Sequence, residues 1–580
     1  MPTKSKLPLY TILGSLAVYI LIALVFVFSF SNFLAFGTSS DRINIVEGLL
    51  LPKTDFPISN IFNTDPLLTN SDSDTINNIR RSVSFLIFSS LFKETIDKGL
   101  TPDIVESYEF KDATNLNLKI RQNIKWHDGT DLTATDVEFT FGLIKSTRQN
   151  SLYAGATNGG SIQVAVIDDY NLKIELTGTD GVKPDSSFLN ELVFPILPKH
   201  ILENYPLPSL NELSETEFGR NPIGSGILKY NQNLVDELVL DRNDNYYQDP
   251  VRFNSYTFRF YKDYPEMLKD YKLKNIDIVK RNEVGSLDSV YKDFIDSGFN
   301  YEEKVLRGRR VVLYINLASK NDSSQLAKST FLRRSLLNII DRKKLVDSID
   351  IGREIYGPID QSLPEFSPDI LEKEKYNLEE FNKILGILGY KKVNEVYEKD
   401  GIQVKVKLSY LSGSIREPLV AELTRQLKEV GIILIPTPIN EVDDNLISNS
   451  SVQTKTNDFY SVVNERNFDV LLTSVDHAQN ADLYDEWHSS RINAPGLNLS
   501  SFSSNGADRA LENGRINVGD ERKTDYMRFQ KTFFEETPAI YLLNPGIQIY
   551  SNPRLNLGKI NELSSMEYFY LNISEWEVKV

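Results

Sequence analysis

Thirty consecutive residues, Leu7 to Phe36, carry no charged side chain. A helix needs about 20 apolar residues to cross a bilayer, so this run is long enough for one span. Lys4 and Lys6 precede it, and Asp41 is the first acid after it. Positive charge on the short N-terminal side favours a cytoplasmic tail, residues 1–6, with the bulk of the chain outside. A cleaved signal peptide has an apolar core of only about 7–15 residues and a small-x-small cleavage site. The stretch Asn32 to Gly37 offers no clear site of that kind. The expectation is an uncleaved single-pass anchor over 7–36; a long cleaved signal is the competing reading. A lone membrane helix forms no channel, so the function belongs to the outer part.

That outer part is acidic. The chain has 580 residues, with 80 acidic and 64 basic side chains and a net charge of −16. Phosphate contacts need a positive surface, so nucleic acid is a poor partner. Cys is absent, which rules out disulfides, thiolate metal sites, a Cys nucleophile and a lipid-modified N-terminal Cys. Only four His are present, too few for a His-rich metal site. His477 and His488 are eleven residues apart, which is not the spacing of one helix face, and no compact acid cluster adjoins them. No Gly-x-Ser-x-Gly, His-Glu-x-x-His or phosphate loop occurs, and Gly224-Ser225-Gly226 reads as a turn. These absences argue against an enzyme, and no catalytic residue, cofactor or metal is expected.

Strand and helix patterns alternate along the outer part, which implies α/β layers. Leu116, Leu118 and Ile120 alternate with polar residues, as in a half-buried strand. Asp128-Gly129 is a turn, and Thr133-Ala134-Thr135-Asp136 a capping box that opens a helix with Val137, Phe141 and Ile144 on one face. A second helix is expected over Phe331, Leu332, Leu336, Ile339 and Ile340. A third runs through Leu419, Val420, Leu423, Leu427 and Val430 and stops at Gly431, before a buried strand at Ile432–Ile435. Polar stretches near 150–160, 319–329 and 443–457 read as exposed loops.

Trp126-His127-Asp128-Gly129 followed by Leu132 to Val137 resembles the bacterial extracellular solute-binding proteins of family 5, the peptide- and nickel-binding subunits of ABC importers. Further matches follow in the family's order. They are Leu197-Pro198-Lys199-His200-Ile201; Asn221 to Gly226, with Ile227 in place of the family's final Pro; and Arg242-Asn243 with Tyr246 and Tyr247. Asn316, Arg333-Arg334, Ile340-Asp341-Arg342, Ala421 to Ile432 and Phe468-Asp469-Val470 complete the series, which spans Ile43 to Tyr550.

The resemblance implies a two-lobed periplasmic-binding-protein-like α/β fold of class II with an extra subdomain. The expected boundaries are lobe I over 41–80, 206–305 and 546–580, the extra subdomain over 81–205, and lobe II over 306–545. It implies capture of peptides or peptide-like solutes by lobe closure, delivery to a permease and its ATPase, and a monomer at the outer face of the membrane. A surface peptide sensor or chaperone-like binding protein without a transporter is the alternative.

Most of these motifs read as scaffold: Trp126 as a core anchor, His127 as a solvated turn residue, His200 as a loop or helix-start residue, Arg242 and Asp341-Arg342 as internal ion pairs or caps. The cargo is expected after Phe468 to Leu472, over Thr473 to Asp485. In peptide-binding relatives a carboxylate there pairs with the peptide's α-ammonium, and Asp476 stands at that place; a loop-capping Asp is the other reading. Thr473 occupies a position that is often aromatic in relatives. Tyr484 and Trp487 are candidates for an aromatic wall or for core packing. Arg416 is a candidate carboxylate partner, or a surface residue at a helix start.

Overall fold

In the computed structural model the described residues lie between 43 and 579. They exclude 52–70, 96–98, 113–114, 147–159, 179–191, 206–212, 214–215, 282–295, 297, 320–324, 413–415, 440–458, 477–481, 494–495, 518 and 561. The anchor expected over 7–36 lies outside them, as do His477 and the expected loop at 443–457. Among the described residues no helix is long and apolar enough to cross a membrane. Ile45–Lys579 packs as one compact unit.

The first described elements are β1 (Asn44–Leu50) and α1 (Ser71–Ile87). A separate four-stranded antiparallel sheet follows, built from β2 (Val105–Asp112), β3 (Asn115–Ile120), β4 (Gly160–Val166) and β5 (Asn171–Gly178), with α2 (Ala134–Ser146) between its second and third strands. The alternation read in β3 is real: Leu116, Leu118 and Ile120 are buried between half-exposed neighbours. Next come β6 (Leu228–Asn233), β7 (Glu237–Arg242), β8 (Ser255–Tyr261), α3 (Tyr264–Lys272), β9 (Ile278–Arg281) and β10 (Asn300–Val305). They are followed by β11 (Arg309–Ile315), α4 (Arg342–Ser348), β12 (Gly352–Glu354), β13 (Lys405–Leu411), α5 (Arg416–Val430), β14 (Ile433–Ile439) and β15 (Val470–Asp476). Then come α6 (Tyr484–Trp487), α7 (Asn505–Ile516), α8 (Gly519–Glu536) and β16 (Ala539–Ser551), and after them a short 3-10 helix, Met566–Tyr570. The expected boundary at 80/81 falls inside α1, because a continuous helix crosses it.

Among the described residues twelve strands form one mixed sheet, ordered β14-β13-β15-β11-β16-β9-β1-β8-β7-β6, with β10 and β12 also paired to β16. All thirteen residues of β16 are buried. Its first part pairs with β11, from Tyr314↔Ala539 to Val311↔Leu543. Its second part pairs with β10, from Val305↔Gly546 to Asn300↔Ser551, and with β9. One strand thus serves two half-sheets and changes partners near Asn544. The chain crosses between the halves a second time at Leu306–Gly308, between β10 and β11. The Asn544 side-chain amide ties the crossings together, donating to the carbonyls of Arg307 (3.2 Å) and Arg309 (2.7 Å).

The half-sheet from β14 to β11 is covered on both faces, and period-2 alternation sorts its residues. Val311, Leu313, Ile315, Val470 and Leu472 join one buried cluster with Leu419, Leu423 and Leu427 of α5. Val312, Tyr314 and Leu471 join another with Trp487, Leu511 and Phe529. Two expectations change here. Phe331 is 62% exposed, while Leu332, Leu336, Ile339 and Ile340 are buried. The Ile432–Ile435 run enters β14, which is the edge strand rather than a buried one, and Ile435 faces solvent. The helix stop is as expected, with Gly431 at φ +95°. The expected loop at 319–329 contains a short helix, Gln325–Lys328.

Candidate functional site

The matched motifs of the first half meet at one place. His127 and Gly224, 97 residues apart, bond twice: the His127 N–H donates to the Gly224 carbonyl (2.8 Å), and the Gly224 N–H donates to His127 Nδ1 (3.2 Å). His127 Nε2 then donates to the Gly226 carbonyl (3.2 Å). Asn243 Nδ2 reaches the same carbonyl (2.8 Å). His200 Nε2 bonds Asp128 (2.8 Å), and Asp136 accepts from the N–H groups of Thr133 and Lys199 (2.9 Å each). This interlock presses on the end of α1, where the Gly226 N–H donates to the Ile87 carbonyl (2.7 Å). A Cβ at Gly224 would stand 1.9 Å from that carbonyl oxygen, so glycine is required by close approach.

His127 does sit in a turn, as expected, but it is half-buried and both of its ring nitrogens are bonded within the protein. Burial lowers its pKa to about 4, against the Gly226 carbonyl, which favours the charged form. A second ring proton would also face the Gly224 N–H. Trp126 is buried, as a core anchor should be. Arg242 pairs with Asp244 at the surface. Asp341 caps α4 through the Lys344 N–H (3.2 Å), and Arg342 donates to the Tyr541 carbonyl (2.8 Å) and pairs with buried Glu374. These motif residues build the scaffold.

The interlock also fixes Arg81, which lies on α1. Its Nη1 donates to Asp476 Oδ2 at 2.8 Å, across 395 residues of sequence. Asp476 ends β15, directly opposite Arg309 of β11 in the antiparallel register. Arg309 grips the same carboxylate with both arms, Nε to Oδ1 at 2.8 Å and Nη2 to Oδ2 at 3.0 Å. The side chains of Arg81, Arg309 and Asp476 are 15%, 11% and 19% exposed. Burial works to raise the Asp476 pKa, but the Arg309 and Arg81 guanidiniums outweigh it and hold the carboxyl well below its usual range.

The place suits a binding site. β13 runs parallel to β14 and to β15, so Leu411, Ile439 and Asp476 mark the carboxyl ends of three strands on one edge. In open α/β sheets ligands bind outside the carboxyl ends of parallel strands. β1 and β9 form a parallel pair in the other half. The Arg81–Asp476 contact joins α1, which follows β1, to the β15 end.

The structure brings none of the other expected cargo residues to that carboxylate in the way the sequence suggested. Thr473 is buried on the opposite face of β15, with Leu471. Trp487 is fully buried, stacked on Tyr314 at 5.6 Å, with its Nε1 donating to the Tyr541 hydroxyl (3.1 Å); it is core, not wall. Tyr484 is buried between the His488 ring at 4.0 Å and the Arg515 guanidinium at 4.1 Å. Arg416 stands at a helix start, opening α5, but it is 2% exposed and so not at the surface. Among the described residues no group of three or more His, Asp and Glu side chains is placed to hold a metal ion.

Sequence reasoning missed Arg81 and Arg309, and it missed Glu47. Glu47 accepts from the hydroxyls of Tyr256 (2.5 Å) and Tyr570 (2.7 Å) and pairs with Lys280 at 3.1 Å. Burial lowers the Lys280 pKa although Glu47 works to raise it, and its ammonium lies over the Phe569 and Tyr570 rings. The available signal was a lone acid inside the apolar run Ile45 to Leu51.

The likeness to known proteins covers almost the whole described chain. The oligopeptide-binding protein AppA of Bacillus subtilis is 26% identical over 500 residues, 83% of this chain and 85% of AppA. The structure of that protein in complex with a nonapeptide superposes with a TM-score of 0.67 at 22% identity, over 92% of this chain and 98% of AppA. A periplasmic oligopeptide-binding protein of an ABC transporter from Thermotoga maritima gives a TM-score of 0.73 at 18% identity, over 93% and 100% of the two chains. NikZ of Campylobacter jejuni, in complex with Ni(L-His), gives 0.68 at 22%, over 92% and 99%. At such identities the structural likeness speaks for the fold. Residues 99–526 match the bacterial extracellular solute-binding proteins, family 5. With the motifs interlocked as described, the chain belongs to that family of ABC-transporter solute-binding proteins.

Proposed function

We propose that this chain is the substrate-binding subunit of an ABC importer, which captures peptides or peptide-like solutes by closing two lobes and presents them to a permease driven by its ATPase. The observation that carries this reading is the change of partners along β16. Its first part belongs to one half-sheet and its second part to the other, and among the described residues Leu306–Gly308 makes a second crossing, between β10 and β11. Two short crossings let the halves turn as bodies, which is how hinged binding proteins enclose ligands. On this reading lobe I comprises 41–87, so that α1 lies wholly on its side instead of being cut at 80, together with 206–305 and 546–580. The extra subdomain follows α1 to 205, and lobe II is 306–545. The segment 7–36 anchors a monomer whose bulk lies outside the cell membrane. Peptide cargo is favoured by the sequence likeness to AppA over most of both chains.

Native mass spectrometry of the full-length protein from its own cells tests the reading. A co-purified mass that fragments into amino-acid residues is expected. A protein that retains nothing from a peptide mixture, or returns it cleaved, contradicts it.

A further inference from the structure

Asp476 has both oxygens engaged by this chain's own cations. Oδ1 accepts from Arg309 Nε, and Oδ2 from Arg309 Nη2 and Arg81 Nη1, all at 2.8–3.0 Å. A carboxylate offers about four acceptor sites, so three are filled. Any ammonium brought to the fourth would stand beside two guanidiniums and be repelled by both. The two cations differ in origin. Arg309 is the register partner of Asp476 in the same sheet, whereas Arg81 arrives on α1 from the other half of the molecule. Arg81 is held there by more than the carboxylate. The far end of α1 is clamped by the Gly226 N–H, Phe85 packs edge-on against Tyr568 at 5.6 Å, and Glu567 favours the Arg81 charge.

We propose that Arg81 is a specificity-determining residue: it takes the place of a cargo ammonium at Asp476, so that this protein binds peptides without reading a free amino terminus. The inference rests on the peptide reading above and narrows it to a class of cargo. Peptides acetylated or otherwise blocked at the N-terminus, and free ones, are then equally good guests, recognised by their main chain and side chains.

The test is calorimetric titration of the full-length protein with one hexapeptide mixture in two forms, free and N-acetylated. The wild type is expected to bind the two within about threefold of each other. Arg81→Ala, and Arg81→Gln if the alanine variant folds poorly, should acquire a preference for the free form of about tenfold or more, since the acceptor position on Oδ2 that Arg81 fills is then open and one of the two repelling cations is gone. Adding Asp476→Asn to either variant should remove that preference. A wild type that prefers free peptides by about tenfold, and loses the preference with Asp476→Asn alone, overturns the proposal while leaving peptide binding intact. A wild type that binds neither form overturns the peptide reading and this proposal with it.

Discussion

Glu47 and Asp476 are both acids withdrawn from water and both answered by cations, yet they sit in different mechanical settings. Glu47 and its partners Lys280, Tyr256 and Tyr570 all belong to the half built around β1, β8 and β9, and Glu47 has no exposed surface. Asp476 is shared between the halves: Arg309 serves it from its own sheet and Arg81 from across the molecule. The first arrangement is fixed by packing and breaks only if that half unfolds. If the halves move as proposed, the second contains one contact that would part, to Arg81, and one that would not, to Arg309. Similar chemistry would then hold one region rigid and give the other a releasable joint.

Removing one partner from each site should separate them most clearly. Lys280→Met leaves Glu47 buried without its cation, and is expected to cost about 3–5 kcal/mol of stability in thermal unfolding. Glu47→Leu combined with Lys280→Met should recover most of that loss. A single variant as stable as the wild type would erase the distinction between the two acids.

Gly224→Ala probes the link between the regions, because the added methyl would meet the Ile87 carbonyl at the clamped end of α1. A loss of about 2–4 kcal/mol is expected, as for other overpacked positions. An unchanged melting temperature would mean that the interlock does not fix α1, and hence does not position Arg81.

The interlock should also respond to pH. His127 has a pKa lowered to about 4 in the folded protein, from 6.5. The unfolded chain therefore binds the extra proton first as pH falls. The stability given by neutral His127 is present above pH 6.5 and is lost progressively down to about pH 4. The whole loss is about 3 kcal/mol. Comparing wild type with His127→Gln across this range isolates it: the variant's stability should fall less steeply, and parallel curves would refute the assignment.

The smallest effect is expected at the joint. Arg81→Ala should change stability by only about 1 kcal/mol, because Asp476 keeps its two-armed partner Arg309. A loss as large as that of Lys280→Met would show that Arg81 is part of a rigid core and not a releasable contact.

What could be read from the sequence was local or carried by motifs. The alternation of β3, the Asp136 half of the capping box, the stop at Gly431 and the ordered motifs each depend on residues close in the chain, and the structure bears them out. The motif residues proved to be scaffold because they bond one another and the end of α1. The site was less legible. Trp487 and Tyr484 have the same residue types whether they line a cleft or fill a core, and only the tertiary packing of Tyr314, His488 and Arg515 decides. Asp476 was found at a strand end, but its partners were not: no local pattern announces a pairing across 395 residues. Ile435 was read as buried because apolar composition does not reveal which strand lies at a sheet's edge.

The central claim is that the halves on either side of the β16 partner change move together around a guest. The chain has no Cys, so one pair of spin labels can be introduced without interference, at exposed Val235 in one half and exposed Ile387 in the other. Pulsed electron spin resonance of the full-length protein should show the distance between them shift by several ångströms when the hexapeptide mixture is added, as hinge closure requires. Bound peptide with an unchanged distance distribution would contradict the account.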